Sequence, residues 1–290
     1  MYLTRNRLSA ASLNLHVIFT RLQIMKDIRP LIEENIQDEL RLLYNPEGSE
    51  LRKKQLELLK MLKYIDSICR SQNIKYWLSS GTCLGAIRHG GFIPWDDDVD
   101  IELLEDDYNK LVDYLQRHPN SKYVIQTPDN DPNYIMDFAK LRDSSSVVKE
   151  CFGIDKDYKY RGLFIDIFKV SSSNSQFLHY ACGRLRVLEA HCKLKAQRSS
   201  IYKIMFPLVR NVNNLIIGFC KPLDRIGAKE KLRHTLGVPF LKPRYYKDIE
   251  NTKQVVFEDQ LFPVPANYDS YLSHIYGNYK IVVKDHCHFE

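Results

Sequence analysis

The chain has 290 residues, with 42 Lys and Arg against 36 Asp and Glu, for a formal net charge of +6. Apolar residues make up 44% and charged residues 27%, a folded globular composition rather than a disordered one. No window reaches the roughly 20 uninterrupted apolar residues of a spanning helix, and no nucleic-acid-binding motif accompanies the positive charge.

The first stretch, "MYLTRNRLSAASLNLHVIFTRLQIMKDI", is basic and mildly apolar, without the hydrophobic core or cleavage site of a signal peptide. Met25 opens "MKDIRPLIEENIQDEL", which reads as a natural start, so residues 1–24 are expected to be an upstream extension with little role in the fold. Residues 51–70 place Leu58, Leu62, Ile65 and Cys69 at helical spacing with Lys and Arg opposite, which predicts an amphipathic helix. "NIKYWLSSG" alternates Ile74, Tyr76 and Leu78 as a short strand ending at Gly81. Thr82 to Arg88 reads as the first turns of a helix, and "GGFIPWDD" as a loop.

The next segment is the most unusual. Asp96 to Asp107 holds eight acidic residues in twelve positions, with no Lys or Arg. Such density repels itself unless a cation sits within it. "DVDIELL" alternates strictly, with Asp98, Asp100 and Glu102 on one face and Val99, Ile101 and Leu103 on the other. Residues 105–117 read as a helix. "KYVIQTP", "YIMDFAKLRD", "SSVVKE" and "RGLFIDIFKV" read as strands, and from about 176 to 235 the pattern turns helical. The tail has a strand-like "QVVFEDQLF", a Pro-bounded turn "PVPANYD" and a short helix "YLSHIYGNY". Strands first and helices later predict an α+β fold.

Two Asp at i and i+2 on a strand project from one face and converge on Mg²⁺ or Mn²⁺, hard cations that take oxygen ligands. Asp166, a lone acid in "LFIDIF", is the candidate third ligand, because burial without a partner is costly. The alternatives are plain. An Asp run is often a solvated turn, the natural reading of Asp96 and Asp97, and Asp166 also has Arg161 and Lys169 as available ion-pair partners. Gly81-Thr82 before a short helix offers amides and a hydroxyl to an anion. Arg88, Lys140 and Arg142 are candidate phosphate-neutralising cations, with a surface arginine and a solvent-facing strand edge as the bland readings.

Together, "YWLSSGTCLGAIRHGGFIPWDDDVDI", "FAKLRDSSS", "LFIDIF" and "FEDQLFPVPANYDSYLSHIYGNY" resemble the LicD family, which includes fukutin and fukutin-related protein. The resemblance covers about residues 52–170 and 254–280. It implies a nucleotidyltransferase-like mixed β-sheet flanked by helices, in which Gly81 and Thr82 hold donor phosphate and Asp98, Asp100 and Asp166 bind Mg²⁺. Asp96 also falls on a family acidic position. The ending "YGNYKIVVKDHCHFE" departs from the family pattern. The implied activity is transfer of phosphocholine from CDP-choline, or of another CDP-linked alcohol phosphate, onto a hydroxyl of lipopolysaccharide, teichoic acid or capsule. A nucleotidylyltransferase using an NTP and a non-catalytic binding protein on the same fold are the competing functions. If the head group is choline, Trp95 and Trp77 are the nearby aromatic faces, with core packing the plainer role for Trp77.

From Arg184 to Arg244 there are fourteen Lys and Arg against three Asp and Glu, a local net of +11 that leaves the remainder at −5. This segregated charge suits an anionic membrane carrying a lipid-linked glycan acceptor, or an acidic acceptor itself, or no more than a solvated helical face. The expected organisation is an N-terminal extension and helix at 1–50, the catalytic core at 51–175, a basic helical region at 176–250 and a C-terminal block at 251–290. Seven Cys without paired spacing read as reduced thiols, and "HCH" at His286–His288 is weak as a zinc signal. The expected location is cytoplasmic, at the inner face of the membrane.

Overall fold

The computed structural model of the chain describes residues 31–150, 153–228 and 230–281. The segment at 1–24 and the His286–His288 tail lie outside the described residues. Helix α1 spans Glu34–Tyr44 and α2 spans Glu50–Ser71. Ser49 caps α2, its Oγ accepting from the Arg52 amide at 3.2 Å. The predicted stripe of Leu58, Leu62, Ile65 and Cys69 is buried.

Strand β1 (Trp77–Leu78) leads into α3 (Ser80–His89), then β2 (Asp100–Leu104), α4 (Glu105–Arg117), β3 (Tyr123–Gln126), β4 (Ala139–Asp143) and β5 (Phe164–Ser172). These strands lie in the order β1-β2-β5-β4-β3, and β6 (Lys231–His234) joins β5 and carries β7 (Arg244–Tyr245) on its other side. The β2–β5 pair is parallel and the other pairs are antiparallel. One face of the sheet carries Ile101, Leu103, Leu141, Ile165 and Ile167, all fully buried in one core with Leu111 and Leu115 of α4 and the stripe of α2. The opposite face carries Asp100, Glu102, Lys140, Arg142 and Asp166. Alternation thus sorts core from chemistry residue by residue. The mixed sheet with helices is the α+β fold expected from the sequence.

Several boundaries differ from the sequence reading. The helical stretch is a hairpin of α5 (Gln176–Ala196) and α6 (Ser200–Arg225), and it stops short of 235 because "KLRH" pairs with β5 as β6. "SSVVKE" forms no strand. "QVVFEDQLF" is not one strand but a hairpin, β8 (Thr252–Phe257) and β9 (Gln260–Pro265), turned at Glu258 with φ of 59°. "PVP" therefore ends a strand instead of making a turn. Helix α7 (Tyr246–Ile249) precedes this hairpin and α8 (Tyr268–Tyr276) follows it.

Candidate active site

Three charged side chains line up across the middle of the sheet. Asp100 opens β2, and the parallel register sets it opposite Asp166 on β5. On the next strand Lys140 is opposite Asp166, with its Nζ 2.9 Å from Asp166 Oδ1. Neither Arg161 nor Lys169 is the partner of Asp166. Arg161 pairs with Asp155 and Lys169 with Glu105. Asp98 lies two residues before Asp100, so the i, i+2 relationship read from the sequence brings it to the same end of β2.

Helix α3 fixes this end of the strand. Thr82 Oγ1 accepts from the Asp100 amide at 2.8 Å, and the Ser79 amide donates to Asp100 O at 2.9 Å. The Asp166 amide donates to Val99 O at 2.9 Å, which ties β5 to the same point. The amides of Gly81 and Thr82 precede the first helical bond, made by Cys83 to Ser79 O, and face the positive end of the helix. Asp96 Oδ2 sits 3.0 Å from where a Cβ on Gly81 would stand. Glycine at 81 is what admits this carboxyl to the helix start. Farther along α3, a Cβ on Gly85 would lie 2.5 Å from Gly91 O, so "LGA" lets the "GGFIPW" loop fold back against the helix and deliver Asp96.

Asp96 therefore belongs to the cluster, although as part of an Asp run it reads as a turn. Asp97 lies after the turn, which falls at Pro94 and Trp95; it is half-buried and pairs with Lys54. Asp96, Asp100 and Asp166 are half-buried, and Asp98 is exposed. Dehydration raises the carboxyls of Asp96, Asp100 and Asp166 above the ordinary range. The neighbouring negative charges add to this, most for Asp100, which faces Asp98, Asp166, Asp96 and Glu102. Lys140 opposes the rise at Asp166.

As the side chains lie, no group of three His, Cys, Asp or Glu among the described residues closes around a common ion position. The donor set nevertheless fits a hard divalent cation. Four carboxyls face one ammonium, that of Lys140, which lies 2.9 Å from Asp166 Oδ1 and is shared with Glu150 Oε2 at 3.6 Å.

The other expected cations have different tasks. Arg88 is buried, with Nη1 donating to Tyr279 O at 3.2 Å and Ile281 O at 3.3 Å and Nε donating to His89 Nε2 at 2.9 Å. It anchors the C-terminal segment and does not reach the carboxylates. Arg142 donates to Gln126 Oε1 at 2.7 Å and Gly162 O at 3.0 Å and pairs with Glu150. Of the three, the structure brings Lys140 alone to the acidic cluster. Trp77 is core, and its Nε1 donates to Glu102 Oε2 at 2.9 Å. Trp95 is half-buried against Tyr44 and His89.

Behind Asp100 stands a network that sequence reasoning missed. Glu102 is fully buried and accepts from Trp77, Arg244 Nε at 3.0 Å and Tyr271 Oη at 3.0 Å, and it bonds His234 Nε2 at 2.7 Å. These partners hold the Glu102 carboxyl far below its usual range despite its burial. Its place in the Asp98, Asp100, Glu102 alternation was the available signal. A separate cleft of about 440 Å³, lined by Tyr108, Asp113, Asp137, Lys169, Arg186 and Lys221 among others, contains none of the four clustered Asp.

Residues 73–209 match the family model described as LicD/FKTN/FKRP, nucleotidyltransferase domain. The chain is 27% identical over 248 residues to lipopolysaccharide cholinephosphotransferase LicD of Haemophilus influenzae, covering 79% of this chain and 91% of that protein. It is 40% identical over 50 residues to the human ribitol 5-phosphate transferase FKRP, and 32% identical over 83 residues to the mouse ribitol-5-phosphate transferase FKTN. Those matches cover 17% and 29% of this chain, and only 10% and 16% of the two mammalian proteins.

Proposed function

Since the chain carries a LicD-family domain, we propose that it is a phosphotransferase that moves phosphocholine from CDP-choline onto a hydroxyl of a cell-surface glycan such as lipopolysaccharide, teichoic acid or capsule. The observation that carries the reading is the register pairing of Asp100 with Asp166 beside the α3 N-terminus. Asp98, Asp100 and Asp166 would hold Mg²⁺ or Mn²⁺, which when bound supplies neutralising charge to a diphosphate. Gly81 and Thr82 present first-turn amides to a donor phosphate, and the Thr82 hydroxyl keeps Asp100 in place. Lys140 keeps a positive charge beside Asp166 as negative charge develops on the transferred phosphoryl group. Asp166, raised by burial, is the group positioned to take the proton of the attacking hydroxyl. The hydroxyl oxygen bonds to the phosphorus bearing the alcohol, and the bond from that phosphorus to the CMP oxygen breaks. Arg88 and Arg142 serve the frame of the site. The location that goes with this reading is the cytoplasm, at the inner face of the membrane.

The test is an incubation of the full chain with Mg²⁺ and CDP-choline, or with CTP, and a lipopolysaccharide or teichoic acid acceptor. Release of CMP with phosphocholine gained by the glycan is expected, and Asp100→Asn abolishes it. Pyrophosphate release from CTP, with nucleotide left on the acceptor, would overturn the assignment in favour of nucleotidyl transfer. Absence of binding to either nucleotide would leave a non-catalytic role.

A further inference from the structure

Helix α6 turns an unusual face to solvent. Ile201, Ile204, Leu208, Leu215, Phe219 and Leu223 are each more than half exposed, between 58% and 77%. Their spacings of three, four and seven residues place them on one stripe. Asn213, Ile217 and Asp224, on another side of the helix, face the protein. The stripe is about 35 Å long at 1.5 Å per residue. On α5, Phe177, Val187 and Leu188 are also exposed. An apolar exposure of this extent marks an interaction surface.

The charge around the stripe is of one sign. Between residues 176 and 225 the only acids are Glu189 and Asp224, and both are buried, at 1% and 3% exposure. Glu189 is held by Arg186 and Arg210, and Asp224 by His179. Arg184, Lys195, Arg198, Lys203 and Lys221 are exposed. The hairpin therefore offers solvent apolar side chains and positive charge, and no exposed carboxylate. Pairing of this stripe with a second copy would bring like charges together with no acid to answer them. No described helix is long and apolar enough to cross a membrane.

We infer that the α5–α6 hairpin docks on the surface of an anionic lipid bilayer, with the α6 stripe sunk to the level of the headgroups and the lysines and arginines on lipid phosphates. The occupant follows from the pairing of apolar and basic groups, which matches the acyl boundary and anionic headgroups of such a surface. The inference stands independently of the carboxylate site.

Co-sedimentation of the full chain with phosphatidylcholine vesicles, with and without phosphatidylglycerol, tests it at low and high salt. Binding is expected on the anionic vesicles, at least about tenfold weaker on neutral ones or in high salt. The triple variant Ile204→Gln/Leu208→Gln/Phe219→Gln is expected to lose about tenfold or more while melting normally, because only exposed groups change. Lys195→Glu/Lys203→Glu, which leaves the stripe intact, lowers binding as well. Asp100→Asn binds vesicles like wild type, which separates failure here from failure of the proposed chemistry. Absence of binding to anionic vesicles, or binding indifferent to both variants, would overturn the inference. So would a wild-type dimer, seen by light scattering, that the triple variant converts to monomer.

Discussion

Asp100 and Asp166 face each other across the parallel pair β2–β5, so two carboxyls occupy neighbouring positions on one face of the sheet. Their mutual repulsion raises the free energy of the folded chain whenever no cation is bound. Asp100→Asn is therefore expected to raise the melting temperature in chelator and to abolish the gain expected of wild type on adding Mg²⁺. Turnover falls by about a thousandfold or more, the scale set by removing a major electrostatic contribution. Thermal melts with and without Mg²⁺, beside an assay of CMP release, check both halves. A Mg²⁺-induced gain in the variant equal to that of wild type would remove Asp100 from the metal site.

Gly81 separates positioning from folding. A methyl group there meets Asp96 Oδ2 at 3.0 Å, and the carboxyl must shift. The displacement needed is a few tenths of an ångström, so Gly81→Ala is expected to lower turnover by about tenfold, a fraction of what a full ångström of misplacement costs, with little change in the urea midpoint. Alanine suits a helix better than glycine, so a stability loss is not expected.

Glu102 works in the opposite sense. It is the anion that balances buried Arg244, with His234 and Tyr271 satisfied on the same carboxylate. Glu102→Gln leaves that cation buried without its charge partner, and a loss of about 3–5 kcal/mol in urea unfolding is expected. Adding Arg244→Gln should recover part of the loss, because the two residues act as one unit.

His89 gives the fold an acid limit. Burial and the adjacent Arg88 lower its pKa to about 3. Its Nε2 accepts from Arg88 and its Nδ1 is turned to Gln37 Oε1 at 2.6 Å, so the folded imidazole is neutral. Once the pH drops below about 6.5, the unfolded chain takes up this proton and the folded chain does not. Stability present above that pH is lost as the pH falls toward about 3, with about 2 kcal/mol of the change lying between pH 6.5 and 5. The difference between wild type and His89→Gln in urea titrations at pH 7, 6 and 5 isolates this residue from the carboxyl cluster, whose raised pKa values act with the opposite sign.

Local pattern and long-range assembly were legible to different degrees. Alternation with Val99 and Ile101 marked the face that Asp100 takes, and a lone acid among apolar residues marked Asp166 as a group opposite it on the sheet, because a strand's period of two survives in the sequence. The Glu102 network did not show, since Trp77, His234, Arg244 and Tyr271 come from four separated segments that only tertiary folding joins. Arg88 sits in a motif beside the acidic run, yet its reach is set by the carbonyls at 279 and 281, which no spacing rule reveals. Strand β6 was hidden inside a basic run because four residues carry too little periodicity to outweigh the helices before them. In α6, Lys203, Pro207 and Arg210 interrupt the sequence, but not the stripe, because they fall on other sides of the helix.

The hairpin that bears this stripe leaves after β5 and re-enters at β6, and its feet are clasped together. The Ser173 amide donates to Lys231 O at 3.0 Å, and the Asn174 amide donates to Asp224 O at 2.9 Å. Between those clasps the hairpin is also bound to the segment before β4: Arg186 pairs with Asp137, and Lys193 and Arg210 donate to the carbonyls of Asn133 and Tyr134. A graft of the hairpin from a relative would therefore have to bring residues 132–137 with it, because the lysine and arginine contacts that seat the insertion are made there as well as at its feet.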